Sequence, residues 1–362
     1  DDSGDNRQFV GDPRFGTIVD RVAFTGRPLG KHTPWELLVA TDWVFSDGHT
    51  ATLDGDRHAR MVLGNSYVWD RDNRIGVMLL GQRIRPDFDE NALEKRAPKE
   101  TTMTFDVAGE TARAIPGVNA RLFASAEAAY VTGKTDLAAE VLAPNDVRVS
   151  RFAGVVRVGV IQTSNKKHAP SGPLGLALEW GYASSDADPG DGTDHRFSMN
   201  PGRRVGLILF DEVLRWKTAR SATALDDTRL GQRRSGASGS LPSAGGVTGA
   251  SYLATQLLYR PLSSLDARAS ALIAQSTGDF VDPAQVVIRG KYNNFDGGKS
   301  THRDLGLELD AAIEYRFPLE NGLNTSFGAE AAALFPGKAL ADERGHTIGR
   351  QGLLRGRFGF YF

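Results

Sequence analysis

Residues 303–317 read RDLGLELDAAIEYRF, and their apolar side chains recur at every second position. Leu305, Leu307, Leu309, Ala311, Ile313, Tyr315 and Phe317 fall on one face, with Asp304, Glu308, Asp310, Glu314 and Arg316 on the other. A helix would scatter both sets round its axis, whereas a strand separates them because its side chains alternate. Residues 118–130 repeat the pattern, with Val118, Ala120, Leu122, Ala124, Ala126, Ala128 and Tyr130 opposite Asn119, Arg121, Ser125 and Glu127. Such segments recur along nearly the whole chain and run for about 9 to 13 residues each, so the predicted fold is all-β and antiparallel.

A large soluble sandwich or propeller also alternates, but its strands average about 5 to 6 residues, while a tilted strand crossing a bilayer needs about 9 to 11. Aromatic residues mark the ends of the apolar faces, as at Trp35, Trp43 and Phe45, Tyr67 and Trp69, Trp180 and Tyr182, and Tyr315 and Phe317. Trp35 and Trp43 share a face. At roughly 3.3 Å per residue and a tilt of about 40°, they stand about 20 Å apart along the membrane normal, the spacing of two aromatic girdles. The final residues, LLRGRFGFYF, set Leu354, Phe358, Phe360 and Phe362 against Arg355, Arg357 and Tyr361. This resembles the last strand of bacterial outer-membrane barrels, which implies that Phe358, Phe360 and Phe362 act as an assembly signal.

Connections sort by length in the same sense. DRDN (70–73), RAIP (113–116), PL (261–262) and PLEN (318–321) are short and rich in turn formers, whereas 85–100, 133–146, 185–203, 217–249, 275–302 and 336–349 are long and polar. Alternation of short periplasmic turns with long outer loops is the membrane-barrel arrangement. It holds backward from the C-terminus until 204–249, where it asks for two strands turning near Asp211 and Glu212. The apolar spacing of FDEVLRWKTA also fits a short helix that would constrict a channel. Parity asks for one further strand near RQFVG (7–11). The expectation is one domain over residues 1–362, an antiparallel transmembrane β-barrel of about 16 strands within a range of about 14 to 18.

Composition narrows the chemistry. The formal net charge is -1 with 24% charged residues, so nucleic acid is not an expected partner. With no cysteine, thiolate metal sites, disulfides and cysteine nucleophiles are excluded. No run of about 18 apolar residues provides a transmembrane helix. DDSGDNRQFV lacks a secretory h-region, which for an exported chain implies that its signal peptide has been removed. DGGKS (296–300) lacks the first glycine of a phosphate-binding loop, GASGS (236–240) misses the nucleophile elbow, and the histidines are scattered. Neither a cofactor nor an enzymatic activity is expected.

In GYASSDADPGDGTDHRF (181–197), Asp186, Asp188 and Asp191 are candidate ligands of an irregular loop calcium, against the simpler reading of a solvated Asx-turn loop. An EF-hand is rejected, because its twelfth position is Phe197. The longer stretch GYASSDADPGDGTDHRFSMNPG, with GLELDAAIEYRF and FGAEAAALFPGKAL, resembles segments of the bacterial alginate-export barrels and their relatives. That family usually shows Gly where Ser185 stands. The resemblance implies a passive outer-membrane conduit for a polysaccharide or another polar solute.

The expected pore-lining residues are Arg60, Arg74, Arg151, Arg157, Arg260, Glu308, Asp310, Glu314, Arg355 and Arg357. Asp20 is also set inward, and acids outnumber arginines on that face, so the lumen reads as mixed. Either these charges pair across strands, or Arg355, Arg357, Arg151 and Arg157 form an anionic-solute constriction while Glu308, Asp310 and Glu314 favour cations. The expected location is the bacterial outer membrane. Expected partners are its lipid, the barrel assembly machinery, a polar or polysaccharide solute and, for an adaptor barrel serving an envelope complex, a periplasmic protein. An outer-membrane enzyme is the remaining alternative.

Overall fold

Arg21 and Asp42 pair at 2.7 Å across the first hairpin, and Asp42 is almost fully buried. Their neighbours Val22 and Thr41, and Phe24 and Val39, are cross-strand partners on the opposite, exposed face. The sheet therefore hides charge and displays hydrocarbon, the reverse of a soluble protein's arrangement.

The computed structural model describes residues 18–30, 32–46, 52–86, 99–138, 146–163, 174–227, 241–318 and 324–361. Its strands are β1 (Ile18–Gly26), β2 (Trp35–Ser46), β3 (Arg57–Val68), β4 (Arg74–Arg85), β5 (Glu100–Ala114), β6 (Ala120–Thr135), β7 (Val147–Gln162), β8 (Leu174–Ala183), β9 (Thr193–Asp194), β10 (Ala250–Leu262), β11 (Leu265–Ser276), β12 (Asp304–Pro318), β13 (Asn324–Pro336) and β14 (Gln351–Tyr361). They form one 14-stranded sheet in which neighbours in sequence are antiparallel neighbours in space, β8 pairs with β10, and the two-residue β9 lies parallel beside β7. This is the expected barrel-type antiparallel sheet, with a strand number at the lower end of the expected range. Among the described residues β1 and β14 share no backbone ladder. The strand expected at 7–11 lies outside the described residues.

Long strands form because each can bury one face while the other remains apolar along its length. In β12, Leu307, Leu309, Ala311, Ile313 and Tyr315 share an outward face with their partners on β13, among them Phe327 and Phe335. Leu309, Ile313, Tyr315, Phe327 and Phe335 are all exposed, as are Leu176, Leu178 and Trp180 on β8 and Leu253 and Leu257 on β10. A soluble monomer rarely carries an apolar patch above a few hundred Å². Aromatic contacts cluster at both ends of this surface: Trp35–Tyr67 and Phe327–Phe358 near the short turns, Phe152–Tyr182 near the long connections. Among the described residues no helix is long and apolar enough to cross a membrane.

Three local expectations change. Asp20 shares the outward face with its partner Trp43, because it has the same parity on β1 as the exposed Val22 and Phe24. Leu305 leaves the outward set of β12 and is fully buried. Gly306, at φ 120°, breaks the alternation there, and a Cβ on it would stand 2.3 Å from the Phe335 carbonyl oxygen. Residues 204–214 form no hairpin at Asp211 and Glu212. They enter a π-helical turn (Leu209–Leu214) that continues directly into α1 (Arg215–Asp226). Leu209 and Phe210 are adjacent and both completely buried, which a strand with one polar face cannot provide. Residues 184–227 and 241–249 thus hold no hairpin that crosses with the sheet, and the parity break disappears.

That connection enters the concave side of the sheet. Leu209, Phe210 and Leu214 form an apolar core with Tyr252, Leu272, Leu305 and Leu334. One short segment reaches β10, β11, β12 and β13 together because the sheet curls round it.

Candidate functional site

The inserted segment, called the plug below, is fixed first by its backbone. Glu308 on β12 points inward and is fully buried. Its carboxylate accepts the amide N–H groups of Leu207, of Ile208 at 2.8 Å and of Leu209 at 2.7 Å. Amides at the start of a helical segment have no partner inside it, and they carry partial positive charge. Glu308 supplies both the missing acceptors and the opposite charge. The approach requires Gly206: at φ 74°, a Cβ there would stand 2.8 Å from Glu308 Oε1 and 2.9 Å from Leu272 Cδ2.

Ion pairs hold the plug to the wall on either side of this contact. Arg203 meets Glu179 of β8 at 3.0 Å, and the Tyr252 hydroxyl donates to the same carboxylate at 2.6 Å. Arg204 and Asp211, both buried, pair at 2.7 Å within the plug. Arg355 of β14 reaches Glu212 at 3.2 Å. Higher up, Lys217 of α1 binds Asp296 at 2.5 Å. Burial pushes the Lys217 ammonium below its ordinary pKa, and Asp296 counters part of that shift. Helix α2 (Pro283–Arg289) closes this end, capped by the Asp282 side chain at its N-terminus and by Gly290, at φ 65°, after its last residue.

The ten residues expected to line the pore all lie on the face opposite the apolar one, and most have partners. Arg60 donates to His58 at 3.1 Å, and Arg74 pairs with Glu110 at 2.7 Å. Arg151 pairs with Asp194 at 2.6 Å, and Arg157 donates to Gln256 at 2.9 Å beside Glu179. Arg260 binds Asp266, and Arg357 meets Glu330 at 3.0 Å. Asp310 accepts from Ser270 at 2.8 Å, and Glu314 lies 3.8 Å from Arg316. Partners on the wall and on the plug therefore meet Arg151, Arg157, Arg355 and Arg357, the arginines of the expected anionic-solute constriction. Arg355 and Arg357 face β13 and the plug. The alternation located Glu308 correctly, but its partner is the plug. Sequence reasoning missed Tyr252, Gln256 and the plug amides; the helical spacing of FDEVLRWKTA was their one signal.

The aspartate loop is also structural in its contacts. Asp186 accepts the Asp188 N–H at 3.2 Å, Asp188 the Gly190 N–H at 3.1 Å and the Tyr292 hydroxyl at 2.8 Å, and Asp191 the Thr193 N–H at 2.8 Å. These are successive Asx turns. Among the described residues no group of three or more His, Asp or Glu side chains is placed to hold a metal ion. Burial, with the nearby Asp194 charge, pushes Asp186 up to about 6. Burial acts on Asp194 in the same sense, but the Arg151 guanidinium outweighs it and holds Asp194 below the usual carboxylate range. Ser185 packs on Gly249 and Gly278, whose missing Cβ atoms leave room for its hydroxyl. Phe358 and Phe360 face outward and are exposed, while Phe362 lies outside the described residues.

No family model matches the chain, and no curated protein matches it. Among solved structures it is similar to BamA from Haemophilus ducreyi lacking POTRA domains 1–3, at TM-score 0.37 and 9% identity over 87% of this chain. The chain spans about half, 55%, of that BamA chain. It is also similar to a Pseudomonas aeruginosa FadL homologue, at TM-score 0.31 and 10% identity, over 94% of this chain and 75% of that one. Likenesses this distant do not assign a function.

Proposed function

We propose that the chain is an outer-membrane barrel of the bacterial envelope that conducts polar solutes and rests in a low-conductance state set by the plug. The observation that carries this reading is the way in which the plug is held. Its amides rest on one wall carboxylate, and its charges meet Glu179 and Arg355 on the inward face. Polar contacts of this kind exchange with water at small net cost, so movement of the segment is opposed chiefly by the apolar contacts of Leu209, Phe210 and Leu214. The outward apolar surface with aromatic residues at both ends supports the membrane location. On this reading outer-membrane lipid surrounds the barrel, and the assembly machinery inserts it through the Phe358 and Phe360 strand.

Export of a polysaccharide is the finer form of the proposal, and it rests on the resemblance of residues 181–202 to alginate-export barrels. A second reading is favoured by the plug itself: a barrel whose lumen is filled could serve as a structural or adaptor element of an envelope complex. We read the chain as non-enzymatic in both cases. Planar-bilayer conductance of the purified protein separates them. Current that rises when the Glu308 contact is removed supports the channel, and no current in either form supports the adaptor.

A further inference from the structure

At the end of the sheet that carries the long connections, a groove runs between α1, α2 and residues 341–348. Phe295, Leu340 and Ile348 form an apolar floor. Arg289 on the α2 wall and Glu343 on the opposite wall line it, and neither has a hydrogen-bond or ion-pair partner among the described residues. Gln285 stands on the same wall. Arg220 also lines the groove, and its guanidinium stacks over the Trp216 ring at 4.8 Å. Trp216 is itself 59% exposed on the outer face of α1, whose inner face buries Lys217, Thr218 and Ser221.

We infer that this groove is a binding site for an uncharged, polyhydroxylated solute, which meets it before the plug. Its unspent groups are one cation and one anion, set around an apolar floor, with the Trp216 indole stacked on the neighbouring Arg220. A fully anionic or cationic ligand would satisfy one wall and be repelled by the other. A hydroxyl both donates and accepts, so a chain of hydroxyls can satisfy Arg289 and Glu343 together. The C–H face of such a ring lies against aromatic and apolar surface as other amphipathic groups do. The inference takes its purpose from the channel reading, since a solute-loading site belongs at a conduit's mouth. Its test is a binding experiment that involves no conductance.

The full chain in detergent micelles is titrated with a neutral glucan hexasaccharide, and in parallel with a uronic-acid hexasaccharide of equal length. Tryptophan emission and titration calorimetry are recorded together. The neutral sugar is expected to bind saturably and to change the emission. Trp216→Phe is expected to remove most of that change, and the double variant Arg289→Ala with Glu343→Ala to raise the apparent Kd at least tenfold. All variants must keep the wild-type circular dichroism spectrum, which exposed side chains allow. Absence of saturable binding, tighter binding of the uronic acid, or an unchanged Kd in the double variant would each overturn the inference. None of these outcomes bears on whether the barrel conducts, which the bilayer experiment decides alone.

Discussion

The Glu308 carboxylate on β12 accepts the backbone N–H of Leu209 at 2.7 Å, so a wall side chain caps a helical segment that lies 99 residues away in sequence. Removing one member of a buried charged contact costs about 3–5 kcal/mol. Glu308→Ala is therefore expected to release the plug without unfolding the sheet. Limited trypsin digestion followed by mass spectrometry should show faster cleavage after Arg203, Arg204 and Arg215, with the β12–β14 peptides still protected. Uniform acceleration across the chain would mean that Glu308 supports the whole sheet and no separable element.

Gly206→Ala should reproduce that phenotype with Glu308 intact. The backbone at φ 74° and the 2.8 Å approach to Glu308 Oε1 leave no room for a methyl group. Strain of this kind costs about 1–3 kcal/mol. The expected trypsin pattern is that of Glu308→Ala at lower rate, and wild-type protection would show that the close approach is not required.

A Cβ at Gly181 would stand 2.2 Å from Tyr252 Cε1, so the glycine on β8 makes room for the tyrosine ring on β10. Gly181→Ala and Tyr252→Ala are each expected to lower the melting temperature, the first through overpacking and the second through a cavity and a lost hydrogen bond to Glu179. Because both act on one space, the double variant should fall short of additivity by about 0.5–3 kcal/mol. Strict additivity would separate the two sites.

Burial, with the Asp194 charge adding to it, raises the folded pKa of Asp186 to about 6 from its ordinary value of 3.8. A raised carboxyl pKa means that the folded loop binds its proton more tightly than the unfolded chain does. Its contribution is fully present below the ordinary carboxyl pKa and is lost as pH rises through about 6. Asp186→Asn should thus stabilise the loop above that pH, by at most about 3 kcal/mol, and change little near pH 3. Thermal unfolding of both forms across this window checks the sign, and a variant less stable at pH 8 than wild type would reverse it.

Most of the fold was legible because one rule, alternation, acts on every strand. The charges of β12 and β14 were placed inward from sequence by that rule, and the outward faces of Leu309, Ile313 and Phe358 followed from it as well. What it could not carry was the interior. Glu308 has the same pattern whether water or a plug faces it, and only the distant amides of Leu207 to Leu209 decide between them. Adjacent burial of Leu209 and Phe210 broke the period, and loop parity, which assumes that every apolar run crosses the membrane, converted it into two strands. Gly306 escaped for a related reason: a single irregular residue flips Leu305 to the other face without altering the composition of the segment.

The plug's control of the lumen is tested most directly by planar-bilayer recording of purified wild type beside Glu308→Ala at matched insertion. The expected result is small, infrequent steps for wild type and a conductance at least tenfold larger for the variant, with Glu308→Gln intermediate because it keeps an acceptor but loses the charge. Equal conductance in all three, whether high or absent, would contradict a plug that gates the conduit.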